Sequence, residues 1–108
     1  MRIIHIIDSD TWEKNQEQPL YLADTLKIQG FIHCCLPEQV EAVLKKWFPG
    51  RDDMIFLEIE SNELSSPVKF ENLEGGEEKF PHIYGPINKE AIISWYSSKK
   101  IKGDHGRH

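Results

Sequence analysis

Three of the five histidines fall inside or beside apolar segments: His5 in "RIIHII", His33 in "GFIHCC" and His82 in "FPHIYGPI". Imidazole can ligate a metal, move a proton near neutral pH or hold a bound molecule by a hydrogen bond. The only two cysteines, Cys34 and Cys35, stand beside His33. Side chains alternate along a strand, so His33 and Cys35 share one face and Cys34 points to the other. By the same rule His82 shares a direction with Phe80 and Tyr84. The other two histidines, His105 and His108, belong to a polar C-terminal run.

These residues suggest three chemistries. Convergence of His5, His33, Cys35 and His82 would make a zinc site, since all are good zinc ligands. No pair has the spacing of a zinc knuckle or of a helical His-Glu-x-x-His, so no metal is expected. A thiol nucleophile would use Cys35, or Cys34, with His33 or His82, assisted by the helix start at Pro37. Cysteine is more often a small buried hydrophobe, and that reading is favoured for both. The third option is a ligand pocket. The prolines and glycine of "FPHIYGPI" would hold an extended backbone, and His82 and Tyr84 would offer hydrogen bonds and an aromatic plate to a planar ring or a sugar. Trp12 follows the first strand, where it could border such a cleft. Glu71 precedes the histidine segment, whereas Glu58 and Glu60 read as a solvated strand face.

The elements that must position these groups fit into one domain. The chain has 108 residues, 39% hydrophobic and 29% charged, with a mean hydropathy of −0.52. The formal net charge of −5 and a pI of about 5.5 disfavour bulk binding to nucleic acid or anionic membranes. No apolar run has membrane-spanning length and no signal-peptide pattern opens the chain, so the expected location is the cytoplasm. There the two cysteines stay thiols.

"RIIHII" (2–7), apolar on both faces, reads as a central buried strand. "TWEKNQE" reads as a short helix capped by Asp8, Ser9 or Asp10 and ended by Pro19. "YLADTLKIQG" is ambiguous between a helical turn and an extended lead-in to "FIHCC", the second strand. Residues 37–48 form the clearest helix, with Val40, Val43, Leu44 and Trp47 on one buried face. "MIFLEIE" (54–60) is a strand with Ile55, Leu57 and Ile59 inward. "SPVKFENL" (66–73) is another strand and "EGGEEK" an acidic turn. The prolines of 80–87 predict an edge strand or a ligand-facing loop. Asn88 caps a helical turn, and 92–98 is the last strand. The fold class is therefore α+β: a small single domain over 1–98, with a mostly antiparallel, split β-sheet and two helices, then a polar tail over 99–108, mobile at its end.

"GFIHCC" followed by Gln39, and then "FPHIYGPI", resembles the DUF952 family of small bacterial proteins. The family pattern looks like a first strand with His (here His5), a Trp shortly after (Trp12), "GFIHCS" with a following Gln, a hydrophobic strand and "FPHIYGP". The resemblance spans residues 3–97. Cys35 departs from it, since the family carries Ser there, and a thiol is the poorer hydrogen-bonding group.

The family is thought to be similar in fold to ADP-ribosyltransferases, whose split sheet holds NAD; RNA 2′-phosphotransferases are one branch. The resemblance implies that His5 bonds the ribose or the nicotinamide amide. It implies that His33 and Cys35 line the nicotinamide pocket and that "FPHIYGP" adds a wall. Transferases of this kind place a Glu on a late strand beside the sugar cation, and Glu71 is the candidate by position. The resulting expectation is an NAD-dependent ADP-ribosyltransferase-like enzyme with His5, His33 and Glu71 catalytic. Trp12, Cys35, Gln39, His82 and Tyr84 would bind ligand, with NAD as substrate and no metal. The alternative is a module that binds a nucleotide or other small metabolite without turnover.

Overall fold

The computed structural model describes residues 1–18, 20–21, 24–72, 76–97 and 105–107. β1 (Arg2–Asp8) pairs antiparallel with β4 (Met54–Glu60) along its whole length, Ile3 opposite Ile59 and His5 opposite Leu57. The β-branched run at 3–7 favours this extended backbone. Its two faces feed two cores. Ile3, Ile7, Ile55, Leu57 and Ile59 join Trp12, Ile32, Ile83 and Ile92 in the larger one. Ile4 and Phe56 join Cys35 in the smaller, under Val40, Val43 and Leu44. The sequence placed only the Ile/Leu face of β4 inward. In fact Met54 and Phe56 are buried as well, because the helix after Pro37 covers that side. Glu58 and Glu60 are half-buried and paired, with Arg2 at 3.0 Å and the N-terminal amine at 2.7 Å.

Asp8 ends β1 and caps α1 (Ser9–Lys14), accepting from Thr11 N at 3.0 Å and Thr11 Oγ1 at 2.7 Å. Pro19 lies outside the described residues. The ambiguous stretch divides into β2 (Leu20–Tyr21) and α2 (Asp24–Gln29). The second motif strand is shorter than expected: only β3 (Ile32–His33) ladders. A 3-10 turn (Pro37–Gln39) leads into α3 (Val40–Trp47). There are thus three short α-helices among the described residues where two were expected. β5 (Val68–Glu71), β6 (Phe80–Ile83), β7 (Ile87–Asn88) and β8 (Ile92–Ser97) follow. Where a polar tail was expected, residues 105–107 pair with β8 as β9.

All these pairings are antiparallel and divide into sheets ordered β1-β4-β8-β9, β3-β6-β5 and β2-β7. Two expectations are corrected. β1 is an edge strand of its sheet, not a central one. Its apolar faces are covered by packing from both sides rather than by a second flanking ladder. β6, expected at an edge, is the central strand between β3 and β5. The ladder tolerates Pro81 because its carbonyl accepts from Cys34 N at 3.1 Å. A strand residue turns N–H and C=O to the same side, so the missing donor faces the end of the two-residue β3 ladder and breaks no pair with β5.

Asn88 precedes a 3-10 turn (Lys89–Ala91) but makes no side-chain cap there. It accepts from Ser65 N and donates to Glu63 O, both at 2.9 Å, tying the connection before β5 to β7. Gly85 completes this corner with φ +155°. A Cβ at Gly85 would collide with Ser66 Oγ and lie 2.8 Å from Ser66 Cβ, while that hydroxyl already donates to Pro86 O at 2.8 Å. Gly85→Ala is therefore expected to cost about 1–3 kcal/mol of stability through strain and overlap. Urea melts check this, and Ser66→Gly in the same chain should recover part of the loss. An unchanged midpoint in Gly85→Ala would refute the close approach.

Candidate functional site

Among the described residues, one isolated antiparallel bridge, between Ile4 and Cys35, joins the first two sheets. Ile4 N donates to Cys35 O at 2.7 Å and Cys35 N to Ile4 O at 2.8 Å. Among the described residues β1 runs on past this bridge with no ladder partner on that side, and a cavity of about 530 Å³ lies along its edge, lined also from the β3-β6-β5 sheet. Residues 4–8 all line it, as they must when a cavity runs along a strand edge rather than over one face. Alternate peptide groups of a strand turn to the same side. Because Ile4 faces Cys35, the next N–H and C=O to face that way are those of Ile6.

His5 lines this cavity and is only 6% exposed. Its Nδ1 lies 2.7 Å from His33 O, which can only accept, so Nδ1 carries a proton. Burial pushes its pKa down to about 4, so the ring is neutral at pH 7. Nε2 is then an acceptor, and the Tyr21 hydroxyl donates to it at 3.2 Å. Both ring nitrogens of His5 are thus engaged by the protein. The group next to it that reaches the cavity is Tyr21, which also lines it. The sequence reading missed Tyr21, a lone tyrosine in the ambiguous stretch with no motif around it.

His33 lies across from His82 in the β3–β6 register. It is exposed, and its Nε2 donates to Gln29 Oε1 at 2.6 Å. Its ring sits edge-on to Phe31 and His82, with centroids 4.9 and 5.3 Å away. His82 is 4% exposed, stacked on Phe31 at 4.4 Å and bonded through Nδ1 to Glu71 Oε1 at 3.0 Å. Tyr84 donates to the same oxygen at 2.5 Å. The Tyr84 hydroxyl, and then His82, hold the Glu71 carboxyl below its ordinary pKa, so it is an anion; the same bond raises the Tyr84 phenol. Glu71, His33 and His82 all line the cavity.

The remaining expected site residues divide. Cys35 lines the cavity, but it is 2% exposed and burial pushes its thiol up to about 12, while Cys34 is raised well above its usual value. Neither is a thiolate at neutral pH. Among the described residues no group of three or more His, Cys, Asp or Glu side chains is placed to hold a metal ion. Trp12 does not line the cavity; it is buried in the larger core, edge-on to Trp95 at 6.2 Å. Gln39 is also outside the lining. It accepts from Leu36 N at 2.8 Å and donates to Glu78 and to Lys79 O at 3.0 Å, pinning the 3-10 turn to the approach to β6. Tyr84 acts on the cavity through Glu71.

Three further lining residues, Trp47, Phe48 and Arg51, were not expected there. Trp47, assigned by helical spacing to the buried face of α3, lines the cavity and is 54% exposed. α3 ends there, and Phe48 and Arg51 continue the same rim. Arg51 is held by Asp53 through contacts of 2.6 and 2.5 Å.

The motifs along this cavity identify the family. The model of the "Protein of unknown function (DUF952)" family matches residues 6–95. The chain belongs to the DUF952 family. It is similar to the crystal structure of protein CC0527 from Caulobacter crescentus, with 26% identity, a TM-score of 0.77, and 90% of this chain and 85% of that one covered. The solution NMR structure of CC0527 matches with 27% identity and a TM-score of 0.74, covering 87% and 81%. Among curated proteins, none matches the chain. No helix among the described residues is long and apolar enough to cross a membrane.

The buried neutral His5 makes stability depend on pH. Its folded pKa of about 4 lies below the 6.5 of an exposed ring, so the unfolded chain takes up the proton first as pH falls. Stability is nearly full above about pH 6.5 and is lost toward pH 4, by about 1.5 kcal/mol between pH 6.5 and 5. Urea melts at the two pH values should show this loss in the native chain and not in His5→Gln. Equal pH dependence in both would refute the assignment.

Proposed function

We propose that this cavity binds the nicotinamide end of a nucleotide such as NAD. The observation that carries the reading is the open edge of β1 inside the cavity. The N–H and C=O of Ile6 form a donor–acceptor pair of the kind a primary carboxamide complements, and a strand edge is a ready template for such pairing. A cavity of about 530 Å³ has the size of clefts that take small organic ligands. Trp47 offers a ring face at the rim. The ADP-ribosyltransferase-like fold that the family resemblance implies points the same way, an analogy that does not by itself carry function.

A second reading, transfer of the ADP-ribosyl group, is favoured by one feature. Glu71 is anionic, and both of its hydrogen bonds converge on Oε1. Its other oxygen can stabilise the positive sugar that forms as the nicotinamide bond breaks. His5 would then act indirectly, by orienting Tyr21 and the backbone at His33.

Binding is tested by thermal shift with nicotinamide, nicotinic acid and NAD. Nicotinamide and NAD should stabilise the chain, by about 2.7 kcal/mol at a hundredfold excess over Kd. Nicotinic acid, which has lost the amide donor, should not. Equal shifts from both pyridines, or none from any ligand, would overturn the carboxamide reading. Incubation with NAD followed by chromatography for free nicotinamide tests transfer: release that disappears in Glu71→Gln supports it, and binding without release leaves a binding module. Trp12 and Trp95 pack against each other, so fluorescence quenching by the ligand should vanish in Trp47→Phe. Quenching that survives would remove Trp47 from the site.

A further inference from the structure

Glu71, His82 and Tyr84 form a directed chain of hydrogen bonds. The Glu71 carboxylate can only accept, so it receives the Tyr84 O–H at Oε1 and requires the proton of neutral His82 to sit on Nδ1, 3.0 Å from that same oxygen. In the singly protonated ring, Nε2 is therefore the bare nitrogen. It has no hydrogen-bond partner among the described residues, although His82 is 4% exposed and lines the cavity. Nε2 is not sealed inside the protein, so a donor in the cavity can reach it. The ring cannot easily turn to use its other face, because Phe31 stacks on it at 4.4 Å and His33 abuts it. A base hydrogen-bonded to an orienting carboxylate is the arrangement by which imidazole activates a nucleophile.

We propose that His82 is a general base of this cavity, set by Glu71, with Tyr84 as the positioning residue that holds the carboxylate. The class of reaction is attack of water, or of a hydroxyl, on an electrophilic acyl or glycosyl carbon of the bound ligand. As the water oxygen bonds to that carbon, its proton passes to Nε2. The bond to the leaving group breaks and its electron pair departs with that group. The proton on His82 then goes to the leaving group or to solvent, and Glu71 remains an anion beside the transient imidazolium. This rests on the reading that the cavity admits a small molecule, but not on that molecule being NAD.

The probe is p-nitrophenyl acetate, hydrolysed to acetate and p-nitrophenol by the full chain. The charged and titratable groups around His82 are Glu71 and Lys69 on β5, His33 on β3 and Tyr84 after β6, so the pH profile reads the whole group. The expected result is a rate that rises as one imidazole deprotonates and falls in heavy water. His82→Gln should lose about a hundredfold or more, the usual contribution of a general base. Glu71→Gln should shift the profile, and Glu71→Asp should restore part of it. An unchanged rate in His82→Gln, or no heavy-water effect, overturns the proposal even where NAD stabilises the protein. Hydrolysis that depends on His82 without any NAD binding upholds it and defeats the nicotinamide reading instead. Should His82→Gln not fold, nitrogen NMR of the native chain decides: Nδ1 protonated and Nε2 bare is expected, and the reverse tautomer refutes it.

Discussion

The Ile4–Cys35 bridge is the contact on which the site depends. Two hydrogen bonds fasten the edge of the β1-β4-β8-β9 sheet to the chain leaving β3, and the ladder goes no further. The bridge is one residue pair long, and the cavity lies along the β1 edge beyond it. The side chains of both cores close around that single junction, with Cys34 in the larger and Cys35 in the smaller. This explains the adjacent thiols better than any redox or metal role: two small apolar groups fill opposite faces where the backbones approach closely. Their burial keeps both protonated.

Hydrogen bonds fix proton positions along the walls of this cavity. Two hydrogen-bonded chains run along it, each ended by a group that can only accept. The His33 carbonyl sets the tautomer of His5, which sets the direction of Tyr21. The Glu71 carboxylate sets the tautomer of His82 and receives Tyr84. In a buried site such bonds are strong and their reversal is expensive, so the cavity offers a ligand a definite pattern of donors and acceptors. Asp8, Glu71 and Arg51, the last paired with Asp53, are the charged side chains of the cavity lining.

Some of this was legible in the residues. The strand runs and the helix after Pro37 follow from local pattern; His5, His33 and Glu71 were grouped as catalytic, with His82 as a ligand-binding residue, only through the family resemblance, and the four line one cavity. Trp47 was misplaced because helical spacing gives the stripe but not where the covered surface ends; α3 outruns its partner by its last turn. Gln39 belongs to a motif yet spends its amide on backbone, a use no spacing rule distinguishes from ligand binding. β6 was misjudged because a proline is forbidden in a central strand only where its nitrogen faces a partner, and the orientation at Pro81 depends on how far β3 extends.

The sequence by itself determined the α+β composition, the alternation that sends Cys34 and Cys35 to opposite faces, and the motifs that mark the family. Those are properties of neighbours along the chain, set by propensity and period. Only the tertiary structure decided that β1 is an edge, that its ladder stops after one bridge, and that Tyr21 and Trp47 reach the same space as the histidines. These depend on contacts between residues far apart in the chain, where the packing of whole sheets, not local preference, sets which backbone groups stay open.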